Sequence, residues 1–280
     1  MLLQRILTAL LLAPIAIALI VLLPTPALAV VLALLLLAAA WEWTRLAGLI
    51  TPAPRAAALA FVALLLLALW WLRDGPLWPV LNALGVVWWV IACFWLDHFP
   101  FAAAPTAENR RIKLAAGLLV MLPTYSSMLL IHGGIRHDAW WPPAPGHWWL
   151  LLALVIVWGA DIGAYFCGRL FGRRKLAPTI SPGKTRAGAW GALVVGALIG
   201  LGGGALLGVR GGMLLALGAL AVVTVAASIV GDLLESLLKR HANLKDSGDL
   251  FPGHGGLLDR MDSVFAALPV FALGKLLLGL

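Results

Sequence analysis

Two stretches of this chain hold half of its charged side chains, and their residue types could serve one reaction. The stretch 232–262 contains six of the twelve acidic residues, whereas 168–186 contains six basic residues and no acidic one. Carboxylates bind hard divalent cations, and Lys and Arg neutralise the phosphate oxygens that such cations do not reach. If they face each other, these stretches predict a site for a metal ion and a polyphosphate.

A simpler interpretation covers part of the basic stretch. Arg169 and the run 173–175 would mark the cytoplasmic side of a membrane protein and attract anionic lipid. This interpretation leaves the acidic stretch unexplained, so the hypothesis of a phosphate site rests mainly on 232–262.

The acidic stretch has an internal order that favours two helices joined by a turn. Helical spacing places Asp232, Ser236 and Arg240 on one face, and the polar, glycine-bearing residues that follow predict a break. Asp259 and Asp262 are three residues apart at the start of the last apolar run. There the helix dipole and free backbone N–H groups favour anions. For Asp262 alone, a helix start with solvated charges is the simpler explanation.

Membrane helices are the elements that must position these residues. Of the 280 residues, 62% are hydrophobic and 11% are charged, against roughly a quarter charged in soluble domains. Such a chain cannot cover a soluble surface, and its two cysteines exclude a disulfide scaffold. We predict an all-α, polytopic integral membrane protein of about nine spans. The apolar runs are 6–23, 26–41, 56–72, 77–95, 114–132, 148–167, 187–207, 213–231 and 263–279.

The first run imitates a secretory signal. Arg5, an apolar stretch and the small residues at 27–29 are typical of a signal peptide with its cleavage site. The apolar character resumes at once, so we predict two helices in a hairpin turned by the prolines at 24–26. Cleavage is the less favoured alternative.

Basic residues predict the orientation of the spans. With a cytoplasmic N-terminus and nine spans, sixteen Lys and Arg residues fall inside and four outside, which is a strong positive-inside pattern. Both charged stretches then lie on the cytoplasmic side. The Trp pairs at 140–141 and 148–149 fall outside, and we expect most tryptophans to form an interfacial belt.

From Ser236 to Asp262 the chain reads SLLKRHANLKDSGDLFPGHGGLLDRMD. This run resembles the signature of the bacterial phosphatidate cytidylyltransferase (CDP-diglyceride synthetase) family, with every element at the family's spacing across 27 residues. The segments DIGAY at 161–165 and SPGKT at 181–185 also resemble the family's DxxAY and SPxKT segments. The run WEW at 41–43 fits as well, so the resemblance covers most of the chain.

One position departs from the family pattern. Where relatives usually carry Glu or Gln two residues after the Thr of SPxKT, this chain has Ala187, preceded by Arg186. Because an alanine side chain cannot hydrogen-bond, we expect this loop to hold nucleotide phosphate through Lys184 and Arg186.

The resemblance implies an enzyme that joins CTP and phosphatidic acid to give CDP-diacylglycerol and pyrophosphate. It implies Mg²⁺ as the cofactor and leaves open a second cation such as K⁺ and a homodimer; no nucleic acid is involved. It places the protein in the bacterial inner membrane with the site facing the cytoplasm. We expect about five N-terminal spans in residues 1–147 and a catalytic region of about four spans in 148–280.

The resemblance and the residue chemistry together assign roles to side chains. Asp232 and Asp259 are the expected metal ligands. The expected catalytic and phosphate-clamping residues are Lys184, Lys239, Arg240 and Arg260, with weaker contributions from Asp246 and Asp262. His254 would donate to a phosphate or stabilise its turn. The expected substrate-binding residues are Asp161, Ser181, Lys184, Thr185, Arg186, Ser236, Lys245, Gly255 and Gly256, the two glycines because their N–H groups could approach phosphate closely.

Asp161 lies in an otherwise apolar run, where a carboxylate costs about 2.5–3.5 kcal/mol. The cost indicates either a functional residue or a pair with a nearby Lys or Arg at the cytoplasmic end. Because lipid must enter sideways, we also expect a groove open to the bilayer. The glycine-rich seventh span, Gly191 to Gly208, would allow that opening or close helix contact.

Two other classes of protein remain open. A CTP-dependent polyprenol or phytol kinase would also be polytopic and metal-dependent, but would lack the run from Ser236 to Asp262. A transporter would explain the spans and Asp161, but its acidic residues would lie near the midplane.

Overall fold

The computed structural model describes residues 13–133, 146–250 and 255–280, which fold mainly into helices. The helices are α1 (Ala13–Leu22), α2 (Thr25–Leu46), α3 (Pro52–Trp71), α4 (Leu77–Asp97), α5 (Ala107–Gly133), α6 (Gly146–Phe171), α7 (Arg186–Leu206), α8 (Gly211–His241) and α9 (Leu258–Leu278). Between α6 and α7 the strands β1 (Lys175–Ala177) and β2 (Ser181–Thr185) form an antiparallel hairpin, with Lys175 opposite Thr185.

Eight helices within the described ranges, α2 to α9, are long and apolar enough to cross a membrane, and α1 is a shorter apolar helix. The prediction of an all-α, multi-pass membrane protein is confirmed. The second and third apolar runs, short in the sequence, become helices of 22 and 20 residues, which is long enough to span. The small residues at 27–29 lie inside α2, and the break between α1 and α2 falls at Leu23 and Pro24.

Glycines let α6 and α7 approach each other closely. A Cβ at Gly188 would lie 2.9 Å from the Ala164 carbonyl oxygen, and one at Gly163 would lie 3.0 Å from the Gly191 carbonyl oxygen. Lipid chains are as apolar as the helices, so close van der Waals packing has to hold such a pair together. Of the two roles expected for the glycine-rich run, the structure shows close helix contact.

A proline in α9 is accommodated by a side chain of α5. Pro269 has no N–H, so the carbonyl of Phe265, four residues earlier, lacks its usual helical partner. The Thr124 hydroxyl lies 3.1 Å from this carbonyl oxygen and 2.7 Å from the Val120 carbonyl oxygen of its own helix. Its single hydrogen is shared between these two acceptors, which gives the Phe265 carbonyl a polar neighbour in a setting where water is scarce.

The two charged stretches lie on a helix end and a hairpin. The helical spacing predicted for Asp232, Ser236 and Arg240 is confirmed, since all three belong to α8, a helix of 31 residues that ends at His241. Part of the expected basic loop is the β1–β2 hairpin, in which backbone groups outside the helices bond to each other. The hairpin ends directly at α7, whose N-cap is Thr185, accepting from Gly188 N at 3.1 Å.

The expectation that most tryptophans form an interfacial belt stays a prediction. Half of the described tryptophans are buried between helices, and three of these donate their indole N–H to carbonyl oxygens: Trp43 to Lys113 at 2.8 Å, Trp78 to Leu69 at 2.9 Å and Trp95 to Phe101 at 3.1 Å. Large aromatic side chains bury much apolar area, which favours the interior where the N–H finds an acceptor. The buried tryptophans are Trp43, Trp78, Trp88, Trp89, Trp95 and Trp149.

Candidate functional site

A cavity of about 350 Å³ lies between α6, the β1–β2 hairpin, α7 and α8, and touches α9. Small and apolar residues form much of its wall, whereas its charged side chains are Asp161, Arg169, Lys184 and Asp232. Asp161 is exposed to this space although it lies in a membrane-spanning helix. Apolar walls with a few converging charged groups are typical of a binding site.

The hairpin brings Lys184 to a carboxylate of α8. Lys184 Nζ forms an ion pair with Asp232 Oδ2, and the two side chains are 26% and 29% exposed. Within the described residues, the hydrogen bond found for the other oxygen, Oδ1, is with the Ser236 hydroxyl at 3.5 Å. Asp232 therefore keeps an oxygen that can accept a new ligand from the cavity.

Two further groups of the predicted site lie close to this ion pair. Asp161 interacts electrostatically with Asp232, Lys184 and Arg260. Asp262 interacts with Asp232, Lys184 and Asp161, and its Oδ1 accepts from Ser263 N at 2.6 Å. The fold thus brings together charged residues from α6, β2, α8 and α9.

Asp259, at the start of α9, is in a different environment. Its Oδ1 lies 2.5 Å from Lys239 Nζ, and its Oδ2 accepts from Gly256 N at 2.8 Å and from Ser247 N at 2.9 Å. The Ser247 hydroxyl is also 2.9 Å from Oδ2. With both oxygens occupied and a side chain only 7% exposed, Asp259 is not among the residues that line the cavity.

The N–H groups at the start of α9 also differ from the expectation. We predicted that the paired glycines would present free N–H groups to phosphate. Instead, Gly256 N donates to Asp259, and the N–H groups of Leu257 and Leu258 donate to Glu42 of α2. The protein's own carboxylates fill this helix N-terminus, because their oxygens satisfy the unpaired N–H groups of its first turn.

Glu235 lies one helical turn before Lys239 on α8, a spacing typical of ion pairs on a helix surface. The pair forms at 3.1 Å, but the Glu235 side chain is only 3% exposed. The cause is the packing of α9 against this end of α8, which places Asp259 against the same lysine.

Several predicted site residues lie away from the cavity lining. Ser181 pairs with Ala177 in the hairpin. Arg186, Lys245 and Asp246 are exposed, and Arg240 Nε lies 3.4 Å from the Ile180 carbonyl oxygen, against the hairpin. Arg260 is exposed, Gly255 has a positive φ of 79°, and His254 lies outside the described residues.

The cavity fits a magnesium ion held together with a substrate phosphate. Mg²⁺ is usually bound by one or two carboxylates, waters and substrate phosphate oxygens, and Asp161 and Asp232 both face the cavity. Within residues 13–133, 146–250 and 255–280, no group of three Asp, Glu, His or Cys side chains could hold an ion by itself. The assignment of Asp259 as a ligand stays a prediction, although its saturated oxygens favour a positioning role.

Six residues that contribute to the site were not predicted as site residues. Tyr165 and Arg169 line the cavity, and Arg169 Nη1 donates to the Tyr165 hydroxyl at 3.0 Å. Ser228 and Ser263 contribute hydroxyl groups. The Ser247 hydroxyl contacts Glu42 near the start of α9.

Four of the six lie in segments that the sequence had already marked. Tyr165 and Glu42 belong to the segments DIGAY and WEW, Arg169 to the basic stretch and Ser247 to the run from Ser236 to Asp262. Ser228 and Ser263 had no such signal.

A cavity with opposed carboxylates and a lysine, enclosed by membrane-spanning helices, defines a polytopic membrane enzyme that acts on a charged substrate. Residues 3–277 match the model of the cytidylyltransferase family. The chain belongs to this family, and it is a nucleotidyltransferase.

Curated relatives agree over nearly the whole chain. The phosphatidate cytidylyltransferase of Pseudomonas aeruginosa is 44% identical over 272 residues, covering 97% of this chain and 96% of the relative. The phosphatidate cytidylyltransferase of Haemophilus influenzae is 34% identical over 288 residues, covering 97% and 98%. That of Bacillus subtilis is 40% identical over 124 residues, covering 43% of this chain and 45% of the relative.

Proposed function

We propose that the chain is a phosphatidate cytidylyltransferase whose active site is the cavity between α6, α7 and α8. An oxygen of the phosphatidic acid phosphate attacks the α-phosphorus of CTP. The bond from that phosphorus to the bridging oxygen of the β-phosphate breaks, which yields CDP-diacylglycerol and pyrophosphate. The observation that carries the proposal is a chain 44% identical to such an enzyme over 97% of its length, with Asp161, Lys184 and Asp232 on one cavity.

The charged side chains that line the cavity suit this reaction. The lipid phosphate is already an anionic nucleophile. No general base is needed; the main obstacle is the repulsion between two anionic phosphates. Lys184 would neutralise phosphate oxygens and compete with cations for Asp232, its partner. A bound Mg²⁺ would supply further positive charge, with Asp161 and Asp232 as the candidate ligands.

The cavity also reaches the lipid-facing surface. Tyr165 lines the cavity and is 59% exposed, and the neighbouring Ile162 and Phe166 are exposed apolar side chains of the same helix. A substrate with two acyl chains could keep them in the bilayer while its phosphate enters between the helices. Arg169, exposed beside Tyr165, would then be the first cation that it meets.

An assay of the purified chain tests the proposal. We expect labelled CTP, Mg²⁺ and phosphatidic acid in mixed micelles to give lipid-linked CMP. A parallel reaction with a prenol would reveal the alternative kinase through a phosphorylated prenol. Formation of neither product would contradict the proposal and favour transport.

Two lysines of the hairpin provide a matched pair for this assay. Lys184→Ala should lower turnover on the order of a hundredfold, as expected when a group that stabilises transferring phosphate is lost. Lys175→Ala removes an exposed lysine outside the cavity lining and should leave turnover within about twofold. Equal effects of both substitutions would remove the hairpin from the site.

We further propose that the enzyme lies in the bacterial inner membrane with the site facing the cytoplasm, as the positive-inside pattern indicates. A cysteine at Asp249, which is exposed after α8, should react only with reagents on the cytoplasmic side. A cysteine at the exposed Asp74, between α3 and α4, should react only from the outer side. Labelling of both from one side would contradict this orientation.

A further inference from the structure

The acidic residue of α2, Glu42, is buried outside the cavity lining and is bonded to the start of α9. Its side chain is 7% exposed, and none of the ion pairs found among the described residues involves it. Burying a carboxylate without a cation is costly unless hydrogen-bond donors replace water.

Three donors from one short segment converge on Glu42. Leu257 N donates to Oε1 at 3.0 Å, Leu258 N donates to Oε2 at 2.8 Å, and the Ser247 hydroxyl lies 2.9 Å from Oε2. The two N–H groups belong to the first turn of α9, where no helical acceptor exists and the dipole favours an anion. Glu42 thus fixes both ends of the segment 247–258 to α2.

Two glycines allow the segment to close over the carboxylate. A Cβ at Gly248 would lie 2.5 Å from Glu42 Oε1, and a Cβ at Gly256 would collide with Glu42 Oε2 and the Ser247 hydroxyl. Even alanine would overlap the carboxylate at either position. The close approach explains these two glycines without any phosphate contact.

Ser247 connects Glu42 to the charged pair at the end of α8. The Ser247 hydroxyl lies 2.9 Å from both Glu42 Oε2 and Asp259 Oδ2, and Ser247 N also donates to Asp259. Asp259 in turn holds Lys239. The contacts form one chain from α2 through Ser247 and Asp259 to Lys239.

We propose that Glu42 is a positioning residue of the active site, which holds Ser247, Leu257 and Leu258 and, through Ser247, sets the placement of Asp259 and Lys239. The proposal rests on the function proposed above. It makes α2, in the N-terminal half of the chain, part of the catalytic apparatus without contact to substrate. Misplacing such a support by about 1 Å can cost on the order of a hundredfold in rate.

Two substitutions test this role. Glu42→Gln keeps the size but sets an NH₂ group against one of the two backbone N–H donors, so we expect kcat to fall on the order of tenfold to a hundredfold. Ser247→Ala keeps the hydrogen bonds from Leu257 N and Leu258 N to Glu42. It removes only the hydroxyl that lies between Glu42 and Asp259. It should lower kcat about tenfold while the thermal midpoint stays near that of the unaltered chain. The KM for CTP should change less than about threefold in both, because the cavity residues are untouched.

A double variant and a matched control sharpen the result. If Glu42 acts through Ser247, the two losses should not multiply in the double variant. Glu108→Gln, at an exposed position in the first turn of α5, should match the unaltered chain in every measurement. Multiplying losses, or a kcat within about twofold in both single variants, would overturn the proposal.

Hydrogen exchange gives a readout independent of activity. In Glu42→Gln, the backbone of 247–258 should exchange faster, while the hairpin 175–185 should exchange as before. Unchanged exchange in 247–258 would overturn the proposal even if the chain catalysed another reaction. In both Glu42→Gln and Ser247→Ala, kcat could fall only as far as the lower thermal midpoint explains. That result would show that Glu42 merely caps the helix and stabilises the fold. An inactive unaltered chain, in contrast, would contradict the proposed function alone.

Discussion

Two clusters of carboxylates at one end of the helix bundle differ in what their oxygens contact. In the cavity, Asp232 is 29% exposed and forms an ion pair with Lys184. At the start of α9, Asp259 is 7% exposed and accepts from Lys239, Ser247 and Gly256. The first carboxylate can exchange its partner for a cation or a phosphate-bound metal, whereas the second has no oxygen to spare.

Acidic residues of one sequence signature can therefore have different roles. A carboxylate whose donors all come from the protein stabilises a loop conformation and loses that role if any donor leaves. A carboxylate that faces a cavity can change partners during a reaction. We therefore assign ligand binding to the cavity cluster, Asp161 and Asp232, and positioning to the cluster of Glu42 and Asp259.

The largest expected effect is that of Asp232→Asn. The amide removes the negative charge that faces the cavity, so turnover should fall on the order of a hundredfold to a thousandfold. The thermal midpoint without ligands should change little, because the side chain is partly exposed and its ion pair is of the kind that contributes little to stability. The measurement is the lipid-linked CMP assay together with thermal unfolding in detergent.

Magnesium removal refines this prediction. Mg²⁺ with CTP should raise the thermal midpoint of the unaltered chain, since a ligand that binds only the folded state stabilises it. A chelator should abolish both the stabilisation and the activity. Asp232→Asn should lose the Mg²⁺-dependent stabilisation; if it keeps the full shift, the cation binds elsewhere.

A smaller effect on turnover, with a larger one on stability, is expected for Asp259→Asn. The Asp259 carboxylate accepts from Lys239 Nζ, Ser247 N and Gly256 N, and an amide with one accepting oxygen cannot replace it. Among the described residues, the substitution leaves Glu235 as the acidic partner of Lys239. Breaking a buried ion pair by removing one partner costs about 3–5 kcal/mol, so the thermal midpoint should drop clearly. The remaining folded protein should keep its Mg²⁺-dependent stabilisation.

The thermal midpoint and its Mg²⁺-dependent shift can also contradict the different roles proposed for Asp232 and Asp259. An Asp259→Asn protein with a normal thermal midpoint and no Mg²⁺-dependent shift would show that Asp259 is a metal ligand, as its sequence position first indicated. Asp262→Asn should be measured alongside Asp259→Asn. Asp262 belongs to α9 like Asp259, but it interacts electrostatically with the residues of the cavity.

The smallest effect is expected for Arg186→Ala. The sequence led us to expect a phosphate contact, but Arg186 is exposed and outside the cavity lining. Its KM for CTP should therefore stay within about twofold of the unaltered value. CTP saturation kinetics at fixed phosphatidic acid provide the measurement, with Lys184→Ala as the contrasting variant. A rise of tenfold or more would restore Arg186 to the phosphate site.

The membrane spans and the residue types of the site could be predicted from the sequence alone. Long apolar runs leave a membrane-spanning helix as the favoured structure, so the predicted runs match α2 to α9 closely. The acidic and basic stretches, and the run from Ser236 to Asp262, indicated the class of enzyme. Local spacing also placed Asp232 and Ser236 one helical turn apart, as found.

Which carboxylates can still bind a ligand depends on how the helices pack, and this could not be read from the sequence. The donors that saturate Asp259 come from Lys239, twenty residues away, and from a loop segment whose course depends on α2. Glu42 meets Leu257 across 215 residues of sequence. Sequence spacing predicts neighbours along one helix, but whether an oxygen faces a cavity or a backbone N–H depends on how separate helices pack against one another.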